Sequence, residues 1–202
     1  MLGGSPLISS AENGLVPQLI QTGLWYWMQS TGIERFELFR LLGEWMLRGT
    51  IVVASAKAGP AEARYEIVCD DSWQTRRADI SLRDGTAERS LQVTVEDGQW
   101  YVNGRMTESL EGCRDIDLEW SPSTNTIPIR RLRLPIGETS GPLLAAWVRF
   151  PDLTLQPLPQ EYERISELHY RYSSNGGKFV AEIVVDAEGL VLNYEGLWRR
   201  TD

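Results

Sequence analysis

One histidine, His169, and two cysteines, Cys69 and Cys113, are all the chain offers in 202 residues. Zinc sites and most nucleophilic chemistry draw on these residue types. The cysteines lack CxxC spacing, and a single imidazole cannot complete a zinc set beside them. Both read as small apolar core groups, and a disulfide requires that strands bring them together. A Ser/His/Asp triad would have to use His169, and no GxSxG elbow accompanies it. In ELHYRY that histidine shares a face with Glu167 and Arg171, which points to solvent. Walker, GxGxxG and HExxH motifs are absent as well. No apolar run approaches the roughly 18 residues of a membrane helix. The opening MLGGSPLISSAENG has neither a basic nor an apolar signal-like stretch, so a cytoplasmic location is expected.

Positive charge is also short: 20 basic against 28 acidic residues leave a net charge of −8. Nucleic acid and anionic membrane surfaces repel such a chain at long range. Local arginine clusters escape this argument because they act at short range.

Tryptophan is plentiful, with 8 against 7 tyrosines and 4 phenylalanines. Indoles need a thick core or a ligand cavity to pack against. The length fits one domain with a real core. Residues 1–24 read as an N-terminal extension, and 25–202 as a single β-barrel-like domain.

From Trp25 onward the signals are those of strands. ERFELFRL alternates. WMLRGTIVVASA follows, with Gly49 as a bulge or bend. AEARYEIVCDDSWQTRRADISL reads as one long alternating run. Asp97-Gly98 and Asn103-Gly104 mark two-residue hairpins, while Gly176-Gly177 and Gly189 suit later turns. SGPLLAAWVRFP is ambiguous between a short helix, capped by Ser140 with Pro142 in its first turn, and a buried strand, with a slight preference for helix. The fold class is therefore all-β: a large, mostly antiparallel curled sheet forming a barrel or half-barrel, with at most one or two short helices.

The stretch GCRDIDLEWSPSTNTIPIRRLRLPIG, Gly112–Gly137, reads as two strands around a polar connection. Asp115 and Asp117 would share one face, about 7 Å apart at Cα level. They can serve as a carboxylate pair, or they can be neutralised by Arg130, Arg131 or Arg133. The second reading is favoured, with Asp117 and Arg131 as the expected cross-strand pair. Arg76-Arg77 and Arg130-Arg131 each split their guanidiniums between two faces.

The motifs WQTRRADI, GCRDIDLEWSPSTNTIPIRRL, AWVRFPDL, PQEYERI and VVDAEGLVLNYEGLWRR resemble a bacterial family labelled putative glycolipid-binding, once a domain of unknown function. The resemblance runs from about Glu34 to Arg200 and is most specific in TNTIPIRRL. It implies a large β-barrel-like fold similar to lipid carriers, a fold analogy rather than a demonstrated activity. It carries over no catalytic residues.

Mixed aromatic and polar groups supply candidate ligand-binding residues, Trp73 with Arg77 and Tyr162 with Arg164, and the charged Asp117 and Arg131 join them. Trp120 with Trp147 is a further aromatic pair. Rings give apolar area and arginines fix a polar head. Core packing and salt bridging are the plainer explanations of the same residues. The expected function is non-enzymatic binding of an amphiphile or glycolipid-like ligand, with no cofactor and no metal. The alternatives are an enzyme acting on a small polar substrate through Asp115 or Asp117, and a filled barrel with a structural or interaction role.

Overall fold

Short type I′ turns at Asp97-Gly98 and Asn103-Gly104 set the style of the molecule. All four residues take positive φ, between 49° and 80°, matching the twist of the strands they join. The structure is a computed structural model and describes residues 16–54 and 59–201. A first meander contains β1 (Gln18–Trp27), β2 (Gly32–Leu41), β3 (Glu44–Val53), β4 (Ala61–Asp70), β5 (Thr75–Asp84), β6 (Ala87–Glu96), β7 (Gln99–Val102) and β8 (Arg105–Met106). The chain then passes through a 3-10 turn, Glu108–Leu110, to β9 (Asp115–Leu118). A second 3-10 turn, Ser123–Asn125, runs directly into α1 (Thr126–Leu132). The remaining strands are β10 (Leu143–Arg149), β11 (Thr154–Ser166), β12 (His169–Ser174), β13 (Phe179–Val185), β14 (Val191–Tyr194) and β15 (Trp198–Thr201).

The fifteen strands of the described residues form one sheet, in the order β8 to β1, then β15 back to β9. Every neighbouring pair is antiparallel except β9–β10. The two meanders meet at β1–β15, where Leu24–Trp27 pair with Trp198–Thr201. The sheet curls without closing, and β8 and β9 remain its edges. Of the extension read at residues 1–24, Gln18–Leu24 lie in β1, and residues 1–15 fall outside the described residues.

Period-two burial builds the core. Along β5, Ala78, Ile80 and Leu82 are buried while Asp79, Ser81 and Arg83 are exposed. The inward side chains of most strands, including Trp25, Phe36, Leu47, Ile67 and Ile183, join one apolar cluster. The cysteines are free and buried within it.

Four sequence expectations are corrected. TNTIPIRRL is not a strand but the end of a 3-10 turn and α1. Pro128 falls in the helix's first turn, where its missing N–H costs nothing, whereas a strand interior would need that donor. Arg133, in the left-handed region at φ 48°, ends the helix. SGPLLAAWVRFP is not a helix but contains β10, which pairs with β9 on one side and β11 on the other. A strand flanked on both sides and covered on both faces reads as a continuous apolar run. AEARYEIVCDDSWQTRRADISL is two strands, because Asp70 caps the turn through its side chain and Trp73 takes φ 64°. Gly49 produces no bulge, since its strand pairs in unbroken register on both sides. Its lack of a side chain serves the ring of Tyr65 instead.

Candidate functional site

The segment Ser121–Asn125 carries five short polar or proline residues into the interior, where all five are buried. Such groups must find hydrogen bonds. Ser121 Oγ donates to Glu34 Oε1 on β2 at 2.8 Å. Ser123 Oγ lies 2.7 Å from Tyr65 Oη on β4, and that hydroxyl donates to Glu34 Oε1 at 2.5 Å. The backbone N–H of Leu118 on β9 donates to Thr124 Oγ1. Asn125 Oδ1 accepts from Tyr162 Oη on β11 at 2.9 Å. One short segment therefore ties together strands from both meanders.

Glu34 is fully buried, and its Oε2 has no partner among the described residues. Burial pushes its carboxyl up to about 8, against the opposing hydrogen bonds from Tyr65 and Ser121. It is therefore held largely protonated near neutral pH. The residue was missed in the sequence. The signal was present, because Glu34 falls on the same alternation as Phe36 and Leu38 in IERFEL.

Beside this segment lies a cavity of about 270 Å³. Asp117 and Glu119 supply carboxylates to its wall. Trp147, Tyr172, Phe179, Tyr194 and Trp198 supply rings. Ser121, Asn125, Ser174 and Asn175 supply neutral hydrogen-bonding groups. Phe179, 37% exposed, is the most exposed ring of the wall.

Asp115 and Asp117 have different surroundings. Arg131, projecting from α1, grips Asp115 in a bidentate pair, Nε to Oδ1 at 2.7 Å and Nη2 to Oδ2 at 2.6 Å. The expected partner of Arg131 was Asp117. The helix places the guanidinium over the neighbouring acid instead. Asp117 accepts a hydrogen bond from Gln160 Nε2. Burial pushes its carboxyl up to about 6, and the nearby charges of Glu119 and Asp115 push the same way. Asp117 is only half-buried by solvent contact, since the cavity reaches it while protein encloses it otherwise.

The other residues singled out in the sequence scatter. Tyr162 is buried behind the cavity on Asn125. Trp73 is buried against Trp45, with Arg130 above its ring at 5.5 Å. Arg77 is on the outer face and pairs with Glu66 at 3.3 Å. Arg164 donates to the carbonyls of Leu134, Ser166 and Glu167, beside a surface groove it shares with Arg130 and Arg133. Trp120 stacks on Phe150, apart from Trp147. His169 pairs with Glu182 on the outer face. Among the described residues no cluster of His, Cys, Asp or Glu has the make-up of a metal site. No described helix is long and apolar enough to cross a membrane.

A family model described as putative glycolipid-binding matches residues 22–200. The chain belongs to this family. A crystal structure of a DUF1089 family protein from Pseudomonas aeruginosa is similar to it at 29% identity, with a TM-score of 0.77. That match covers 98% of this chain and 100% of the other. No curated protein matches.

Proposed function

We propose that the chain binds a glycolipid-like amphiphile without altering it, and that the polar head enters the Asp117 cavity. The observation that carries this reading is the wall itself, in which five rings surround a few hydrogen-bonding groups. Aromatic faces pack against the C–H faces of a sugar, and amides, hydroxyls and a carboxylate meet its hydroxyls. A volume of about 270 Å³ suits a head of one sugar ring rather than acyl chains. Small-molecule sites of drug size run from roughly 300 to 1,000 Å³. The tail would leave past Phe179.

The test is a titration of the protein with octyl glucoside below its micelle concentration, followed by tryptophan fluorescence and thermal unfolding. Saturable change and a higher melting temperature are expected, as for any ligand of the folded state. The glycoside should be recovered intact by mass spectrometry. A flat titration with this and related glycosides would sink the reading. One observation favours the rival, chemistry at Asp117: a carboxyl raised to about 6 in a cavity is suited to proton transfer. Cleaved glycoside in the recovered material would select that rival.

A further inference from the structure

The charges around the cavity are one-sided. Among the described residues its wall contains two carboxylates and no lysine, arginine or histidine. One of the two is already neutralised. Glu119 accepts from Arg149 Nε at 3.1 Å and from the backbone N–H of Phe150 at 2.8 Å. The same guanidinium lies 4.2 Å from the centre of the Trp147 ring, so that ring has its cation too. Asp117 has neither. Its bond from Gln160 is neutral, and the charges that act on it are those of Asp115 and Glu119, both acidic. Arg131, on α1, is committed to Asp115 through both oxygens.

Three of the rings that line the cavity with Asp117 pack against one another at an angle. Tyr172 and Phe179 have centroids 6.0 Å apart and planes inclined by 63°. Tyr172 and Tyr194 are 6.0 Å apart at 74°. Phe179 and Tyr194 are 6.3 Å apart at 55°. A carboxylate without a counter-ion in a wall rich in aromatic rings suits a cation too weakly hydrated to prefer water. Compact inorganic ions do not fit that description, but an organic ammonium does.

We infer that the cavity takes the ammonium group of its ligand's head, with Asp117 as counter-ion and the aromatic rings of the wall beside it. The inference rests on the reading that the head occupies this cavity. An amino sugar and a quaternary ammonium share the required chemistry. Neutral sugars would bind more weakly, and sulfate or phosphate heads would be repelled.

The experiment uses tailless probes at constant ionic strength: tetramethylammonium, glucosamine and glucose, followed by calorimetry and tryptophan fluorescence. One-site binding of at least one ammonium probe, at least tenfold tighter than glucose, is expected. Which of the two ammonium probes binds tighter distinguishes the quaternary source from the amino-sugar source. Asp117→Asn should remove that preference, about tenfold or more, as expected for loss of a desolvated charge partner. Glu66→Gln, a carboxylate on the outer face, should leave it unchanged and so excludes general attraction to an acidic surface. If the Asn variant does not fold, the native protein supplies the same test with tetramethylammonium across pH. Affinity should fall as pH drops through about 6, where Asp117 protonates. The other groups around it are Asp115, held by Arg131, Glu119, held by Arg149, the tyrosines 162, 172 and 194, whose hydroxyls burial pushes up, and Glu34 behind Ser121. Glu34 titrates higher, at about 8. Glucose bound as tightly as the ammonium probes, or cation binding indifferent to both Asp117→Asn and acid, would overturn this inference and leave the amphiphile reading standing. Failure of octyl glucoside and of every head probe would overturn both.

Discussion

Gly49 and Tyr65 face each other across β3 and β4 with no space for a methyl group between them. A Cβ at Gly49 would lie 2.4 Å from the Tyr65 ring. The ring cannot yield cheaply, because its hydroxyl is tied to Glu34 and Ser123. Gly49→Ala should therefore cost about 1–3 kcal/mol through overpacking. With Tyr65→Leu in the same chain the two losses should add to less than their sum, as measured by urea unfolding. Full additivity would mean that the ring does not define the need for glycine.

Arg131→Met should cost about 3–5 kcal/mol, because it strands the carboxylate of Asp115, which is 3% exposed. Asp115→Asn in that background should recover much of the loss, and Asp117→Asn should not. The comparison needs only denaturant melts of the single and double variants. Equal rescue by the two asparagines would contradict the observed pairing.

Glu34 makes stability depend on pH in an unusual direction. Its carboxyl titrates near 4.5 when unfolded and about 8 when folded. Between those values the folded state holds a proton that the unfolded chain has lost. Its contribution is complete below about pH 4.5 and is lost as pH rises toward 8, at up to about 1.4 kcal/mol per pH unit. Glu34→Gln should flatten this decline, and its stability relative to the parent should improve between pH 5 and pH 8. Asp117 contributes with the same sign at lower pH, since its carboxyl is also raised. Parallel stability curves for parent and variant would show that Glu34 does not titrate in this window.

Arg77→Ala should leave the amphiphile titration unchanged and alter stability by no more than about 0.5 kcal/mol. Its partner Glu66 is on the solvated face, where ion pairs contribute little. A clear loss of binding would place the ligand somewhere other than the cavity.

Much of the sheet was legible because its signals are local. The φ values at Asp97-Gly98 and Asn103-Gly104 are what those residue pairs favour, and the alternation along β5 is written in the sequence. The interior segment was harder. Ser121–Asn125 is polar, as loops are, and only the fold turns it inward onto Glu34, Tyr65 and Tyr162. TIPIRRL misled because two isoleucines flanking a proline fit a short strand and a short helix alike. That misreading moved Arg131 to the wrong carboxylate. Of the proposed ligand residues only Asp117 lines the cavity, because pairing of arginines with nearby acids is decided by tertiary placement rather than by which strand face they occupy.

The single seam between the two meanders has a mechanical meaning. Apart from β9–β10, which pair across about 30 residues, the other strand neighbours follow one another in sequence, so β1–β15 is the strand pairing of longest range. Trp198 belongs to this seam. It pairs with Trp27 in register and stacks on it at 5.0 Å, and it also lines the cavity. Anything resting against that indole would bear on one of the joints between the two meanders. Amide exchange at Leu24–Trp27 and Trp198–Thr201 would then report occupancy from the backbone, without a probe on the ligand.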